Sequence, residues 1–173
     1  GIDLLLHAPQ APGGFPGAIV TAAVFIADDN PADVDLIQLA FDENGLNPDY
    51  IVASDGLQAI ELLKTALPAL ILLDIKMPGA DGFEVLSYLR GQPRLRDVHV
   101  IVMSSSTAPV DKERALKLGA KQYWPKPARF DDTVQFIGTL RRFVLGTGIA
   151  PPEVRITTVS PEPHSGSAAP NDR

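Results

Sequence analysis

Five short apolar runs, each closed by turn residues and followed by a segment with helical periodicity, set the tightest limit on what this chain can fold into. The runs are Ala22 to Ala27, Asp49 to Ala53, Leu70 to Asp74, Val98 to Met103 and Gln122 to Trp124. Each has the length of a buried strand. Strands that alternate with helices read as a parallel sheet covered on both faces, because parallel neighbours need a long crossover between them. In an open sheet of this kind ligands collect at the carboxyl ends of the strands. Asp28-Asp29, Asp74 and Lys126 follow the first, third and fifth runs. Three carboxylates and one ammonium are therefore expected at one sheet edge, a set able to hold a divalent cation and a phosphoryl group.

The helix signals between the runs are explicit. Asn30-Pro31-Ala32-Asp33 supplies a cap, a proline at the first helical position and an acid near the positive helix end. That helix carries Val34, Ile37 and Phe41 on one face and stops at Asn44-Gly45. A second helix is predicted over Leu57 to Leu67, ended by Pro68. Asp81 followed by Glu84 has the form of a capping box for a third, bearing Val85, Leu86 and Leu89. A fourth is predicted from Pro109 to Leu118-Gly119. The fifth is predicted as one helix from Phe130 to Val144, with Val134, Ile137, Leu140 and Val144 inward.

Composition removes several function classes. The 173 residues suit one ordinary domain with material to spare, and 45% of them are hydrophobic, which is enough for a core. A formal net charge of −6 argues against a broad nucleic-acid surface. The chain has no cysteine, so disulfides, thiolate metal sites and thiol catalysis are excluded. The early Leu4-Leu5-Leu6 cluster lacks the basic start and the longer apolar run of a secretory signal, and no stretch reaches a membrane span. The expectation is a soluble, cytoplasmic protein with no membrane or nucleic-acid partner. After Leu145 the composition shifts to Gly, Pro, Ser and Thr, with five prolines between Pro151 and Pro170. That stretch has too little apolar content to offset its ordering entropy. The predicted organisation is an extension over 1–20, a domain over 21–146 and a tail over 147–173.

Four segments together resemble the receiver domain of two-component response regulators: AAVFIADDNP (Ala22 to Pro31), LILLDIKMPGADGFEVL (Leu70 to Leu86), VIVMSSS (Val100 to Ser106) and YWPKP (Tyr123 to Pro127). The resemblance runs over roughly Thr21 to Gly146 in the family's order and spacing. It implies a flavodoxin-like (βα)5 fold, a doubly wound five-stranded parallel sheet of order 2-1-3-4-5.

The resemblance also assigns roles. Asp74 matches the phosphoacceptor, whose carboxylate would form an acyl phosphate. Crowded carboxylates repel one another and so favour a divalent cation. Mg²⁺ suits them because it takes oxygen ligands and keeps several waters. Asp29 and Asp74 would ligate it directly, Asp28 through water, and Lys76 through its backbone carbonyl. Lys126 would neutralise phosphoryl charge, and Ser104 would donate its hydroxyl to a phosphoryl oxygen. Tyr123 is either the family's switch aromatic or a half-buried residue packed on the fourth helix. The implied partner is a sensor histidine kinase or a histidine phosphotransfer protein. The implied output face is the fourth helix, fifth strand and fifth helix, offering Trp124 and the helix around Arg141-Arg142. The Asn30 to Asp33 opening and Pro125-Lys126-Pro127-Ala128 are similar to receivers that serve phytochrome-type kinases, which adds a homodimer through that face. Pro125 is expected at a strand end or sheet edge.

Two other readings remain open at this stage. One is a pseudo-receiver that binds partners without phosphorylation. The other is a small hydrolase or flavin-binding protein on the same sheet, although Asp28-Asp29 would repel a flavin phosphate. His7, His99 and His164 lie outside the site motifs and are read as surface or incidental residues. No P-loop lysine motif is present, so the chemistry expected is self-phosphorylation and self-dephosphorylation rather than turnover.

Overall fold

The computed structural model describes residues 23–145; the extension over 1–20 and the tail over 147–173, with His7 and His164, lie outside the described residues. Five strands, β1 (Val24–Ala27), β2 (Tyr50–Ala53), β3 (Leu70–Leu73), β4 (His99–Ser104) and β5 (Gln122–Pro125), alternate with α1 (Pro31–Glu43), α2 (Gly56–Leu63), α3 (Gly82–Gly91), α4 (Pro109–Lys117) and α5 (Phe130–Thr139). A short α6 (Arg141–Leu145) follows. The strands form one parallel sheet of order β2-β1-β3-β4-β5, the expected doubly wound topology.

Strand alternation divides the core in two. Phe25, Ala27, Ile71, Leu73, Val100 and Val102 point to the face covered by α2, α3 and α4, where Leu63, Leu86 and Ala115 meet them. Val24, Ile26, Leu70, Leu72, Ile101 and Met103 point to the other, where Ile37, Phe41, Ile137 and Val144 meet them. Both faces are covered, so β1 and β3 are buried at every position. Register in β1 is thereby fixed, since a slip of one residue would exchange Phe25 with Ile26 between two differently shaped layers.

Local chemistry starts and stops the helices as predicted in most places. Asn30 caps α1, its side chain accepting from the Ala32 amide at 3.1 Å with Pro31 behind it, and Gly45 at φ 65° ends the element. Asp81 and Glu84 complete the reciprocal capping box of α3 at 2.9 and 2.7 Å. Gly82 also permits a close approach: a Cβ there would stand 2.4 Å from the Asp74 carbonyl oxygen.

The fifth predicted helix is corrected, because it breaks at Leu140 into α5 and α6. Gly138 and Thr139 are poor helix formers, and the Thr139 hydroxyl donates to the Phe136 carbonyl at 2.7 Å, competing with the helical ladder. Ile137, Leu140 and Val144 still face inward, and Val134 is half-buried. The second helix ends four residues earlier than predicted, at Leu63 rather than Leu67. β1 runs from Val24, the expected start at Ala22 lying outside the described residues, and β5 extends one residue further to Pro125, the last position of an edge strand, with the Lys126 amide donating to the Ser104 carbonyl beside it.

Candidate functional site

Backbone pairing carries the site residues one step beyond their strands. The Asp28 amide donates to Ala53 O at 3.0 Å, the Asp74 amide to Ala27 O at 2.8 Å and the Lys126 amide to Ser104 O at 2.8 Å. The first residues after β1, β3 and β5 are thus held at the carboxyl edge by the last hydrogen bonds of the ladder.

Their side chains converge on one ammonium. Lys126 Nζ lies 2.7 Å from Asp28 Oδ2 and 2.8 Å from both Asp33 Oδ2 and Asp74 Oδ2. Asp28 and Asp74 are buried, while Asp29 at the rim is exposed. Backbone amides take the remaining oxygens: Asn30 N donates to Asp28 Oδ1 at 3.0 Å and Lys76 N to Asp74 Oδ1 at 2.9 Å. The contact that the fold gives Lys76 is this amide, and its side chain is exposed. Asp28, Asp29 and Asp74 each bring a carboxylate oxygen within 4.8 Å of the others.

Electrostatics follow from burial and pairing. Desolvation lifts the Asp28 carboxyl above its usual range, opposed by the hydrogen bonds from Lys126 and the Asn30 amide. Burial alone would lower the Lys126 ammonium; its hydrogen bonds to Asp28, Asp33 and Asp74 outweigh that and raise it. The lysine therefore stays charged, and three carboxylates share its positive charge while Asp29 adds a fourth at the rim. A hard divalent cation fits this donor set, since carboxylate oxygens are its preferred ligands and the local charge is negative.

Asp33 is a site residue that the sequence reading took only for a helix-end acid. Its signal was its place one helical turn after Asp28-Asp29, on the first turn of a helix that starts at the same sheet edge. Asp111 is the second residue beyond the prediction, paired with Ser106, a position at which the resemblance implies tuning of acyl-phosphate lifetime. Ser106 Oγ donates to Asp111 Oδ2, and Tyr123 Oη donates to Ser106 O at 2.8 Å. Tyr123 is half-buried against the layer of α4. Trp124 is half-buried, its ring stacked on Phe136 of α5 with centroids 3.6 Å apart. His99 is half-buried, its ring stacked on Phe143 at 4.2 Å and its Nε2 buried without a partner among the described residues. It stands at the start of β4, at the opposite sheet edge from the carboxylates.

Comparison with known proteins agrees with this geometry. Residues 24–137 match the response regulator receiver domain. The chain belongs to this family. The receiver is similar to the probable methanogenesis regulatory protein FilR2 of Methanothrix harundinacea, 31% identical over 134 residues that cover 74% of this chain and 86% of that protein. Among solved structures it is similar to the phosphorylated cyanobacterial phytochrome response regulator RcpA, with TM-score 0.68 and 29% identity over 76% of this chain and 99% of RcpA. It is also similar to the Mn(2+)-bound form of response regulator Rcp1, with TM-score 0.65 and 27% identity over 76% and 99%. Other curated relatives are much longer, the chain spanning 47% or 27% of their length. Receiver domains belong to two-component signalling, and none of the described helices is long and apolar enough to cross a membrane.

Proposed function

We propose that this receiver accepts a phosphoryl group on Asp74 from a partner histidine kinase or histidine phosphotransfer protein. The observation that carries the reading is the Lys126 ammonium held at 2.7–2.8 Å by Asp28, Asp33 and Asp74, with Asp29 at the rim of the same cluster. One Asp74 oxygen attacks phosphorus, the new O–P bond forms as the bond to the donor breaks, and the electron pair leaves with the donor. Lys126 then gives up part of its contact with Asp28 and Asp33 to meet the added charge, and Ser104 donates its hydroxyl to a phosphoryl oxygen.

Mg²⁺ fits the residues present: Asp29 and Asp74 would hold it directly, Asp28 through water and Lys76 by its carbonyl, and when bound it would neutralise phosphoryl charge. The phosphorylated state of RcpA and the metal-bound state of Rcp1, both similar in fold, support the same reading. The product is a covalent signal and not a released one, so the chain is a switch rather than a turnover enzyme. The added charge of about −1.5 to −2 would bias the α4, β5 and α5 face through Ser104 and Tyr123. Self-association through that face belongs to the proposal, since α4 leaves Val110 and Leu116 exposed there. Equilibrium sedimentation with and without a phosphoryl mimic tests it, and a monomer in both conditions would remove it.

The deciding experiment is incubation with acetyl phosphate and Mg²⁺ followed by intact mass. One labile phosphoryl adduct is expected, absent from Asp74→Ala and absent without metal. A folded, metal-binding protein that takes up nothing would instead be a pseudo-receiver, with partner binding as its whole function.

A further inference from the structure

The Ser104 hydroxyl is oriented by a line of contacts that begins on α4. Ser104 Oγ accepts from the Ser106 amide at 3.2 Å, and among the described residues its own hydrogen has no acceptor. A serine hydroxyl has one hydrogen and two lone pairs, so this contact occupies one lone pair, narrows the rotor and leaves the hydrogen to donate. Ser106 is itself pinned on three sides. Its Oγ donates to Asp111 Oδ2 at 2.5 Å and accepts from the Ala108 amide at 3.4 Å, while its carbonyl accepts from Tyr123 Oη at 2.8 Å. Ser106 is buried, and Asp111 is half-buried on the first turn of α4. The N-cap of that helix is Ala108, which has no capping side chain, so Ser106 and Asp111 do the work of tying α4 to the end of β4.

We propose that Asp111 is a positioning residue for phosphoryl uptake. Through Ser106 it holds the amide that orients the Ser104 hydroxyl, and so couples the seat of α4 to the chemistry at Asp74. The proposal rests on the reading of Asp74 as the phosphoryl acceptor. The link between Asp111 and Ser106 is a charge-assisted hydrogen bond, the strongest class of such contacts, and it is shielded from water on the Ser106 side. Coupling of this kind is reciprocal in binding terms. A phosphoryl oxygen that draws Ser104 toward itself loosens the Ser106 amide, and with it the tie to α4.

The test is the rate of adduct formation from acetyl phosphate at saturating Mg²⁺, followed by intact mass. It compares wild type, Asp111→Ala and Asp111→Asn, and repeats Asp111→Ala in a Ser104→Ala background. Loss of one hydrogen bond predicts that Asp111→Ala slows uptake by about two- to tenfold. Asp111→Asn keeps an acceptor oxygen and should recover most of that rate. In the Ser104→Ala background Asp111→Ala should add nothing, because the hydroxyl it orients is gone. A uniform structural effect would slow both backgrounds by the same factor, and that result, or an Asp111→Ala rate equal to wild type, would overturn the proposal. A wild-type protein that takes up no phosphoryl group would overturn the acceptor reading itself, and this proposal with it.

Discussion

Replacing Lys126 with methionine keeps the volume of the side-chain stem and removes the one ammonium that, among the described residues, pairs with this carboxylate cluster. Each of its contacts at 2.7–2.8 Å is worth roughly 6 kcal/mol of Coulomb attraction at an effective dielectric near 20. Repulsion between Asp28 and Asp74, whose oxygens lie within 4.8 Å, amounts to roughly 3.5 kcal/mol or more on the same scale. Desolvating the ammonium cancels most of the attraction, so the net effect is far smaller than the sum of contacts. Breaking a buried ion pair from one side costs about 3–5 kcal/mol. The lower end applies, because Lys126 keeps 18% of its side chain exposed and Asp33 keeps 29%. A loss of about 3 kcal/mol is a large share of the roughly 5–15 kcal/mol that holds a domain together. Urea unfolding in metal-free buffer measures it as a lowered midpoint at unchanged slope. Lys126→Arg, which keeps the charge, should lose much less. At one common, saturating Mg²⁺ concentration Lys126→Met should be stabilised more than wild type, since the cation then answers repulsion that the lysine no longer does; a tenfold tighter Kd adds about 1.4 kcal/mol. A metal-free loss under about 1 kcal/mol, or equal metal stabilisation of both proteins, would refute the account of Lys126 as the cluster's internal counter-ion.

Other outcomes follow from single contacts. Asp29→Asn should weaken Mg²⁺ affinity on the order of tenfold or more in titration calorimetry while leaving metal-free stability nearly unchanged, because Asp29 is exposed and absent from the Lys126 ion pairs. Gly56→Ala should lower stability by about 1–3 kcal/mol in urea unfolding, since the new carbon would stand 1.8 Å from the Ala80 carbonyl oxygen in the loop after Asp74. Burial, with Arg142 and Lys121 nearby, holds the His99 imidazole below its usual range, so the unfolded chain binds more protons between that lowered value and about 6.5. Stability from this residue therefore rises with pH through that window and is lost as pH falls; the urea midpoint of His99→Phe should fall less than that of wild type on acidification, and parallel curves would count against it.

How far the sequence can be read depends on the range of the interaction involved. The caps of α1 and α3 were legible because Asn30 and Asp81 act on amides two and three residues away. The central strands were legible because β1 and β3 are continuous apolar runs buried on both faces. The site was legible in outline because Asp28, Asp74 and Lys126 each stand one residue beyond a strand, where a parallel sheet must gather them. The break at Leu140 was not, since the apolar spacing of Ile137, Leu140 and Val144 continues across it while Thr139 and Gly138 weaken the backbone ladder. Trp124 and Phe136 gave no sign in their spacing that they would stack.

The sequence by itself determined the order of elements, the sheet class and the set of groups at its carboxyl edge, because periodicity and turn chemistry are local and their consequences for a parallel sheet are few. Tertiary structure alone decided which partners those groups take. Asp33 meets Lys126 across 93 positions. Tyr123 reaches the Ser106 carbonyl across 17, and that meeting depends on how β4 and β5 pair. A contact between distant residues is set by the docking of whole helices on a shared sheet, and no local pattern in the chain carries that information.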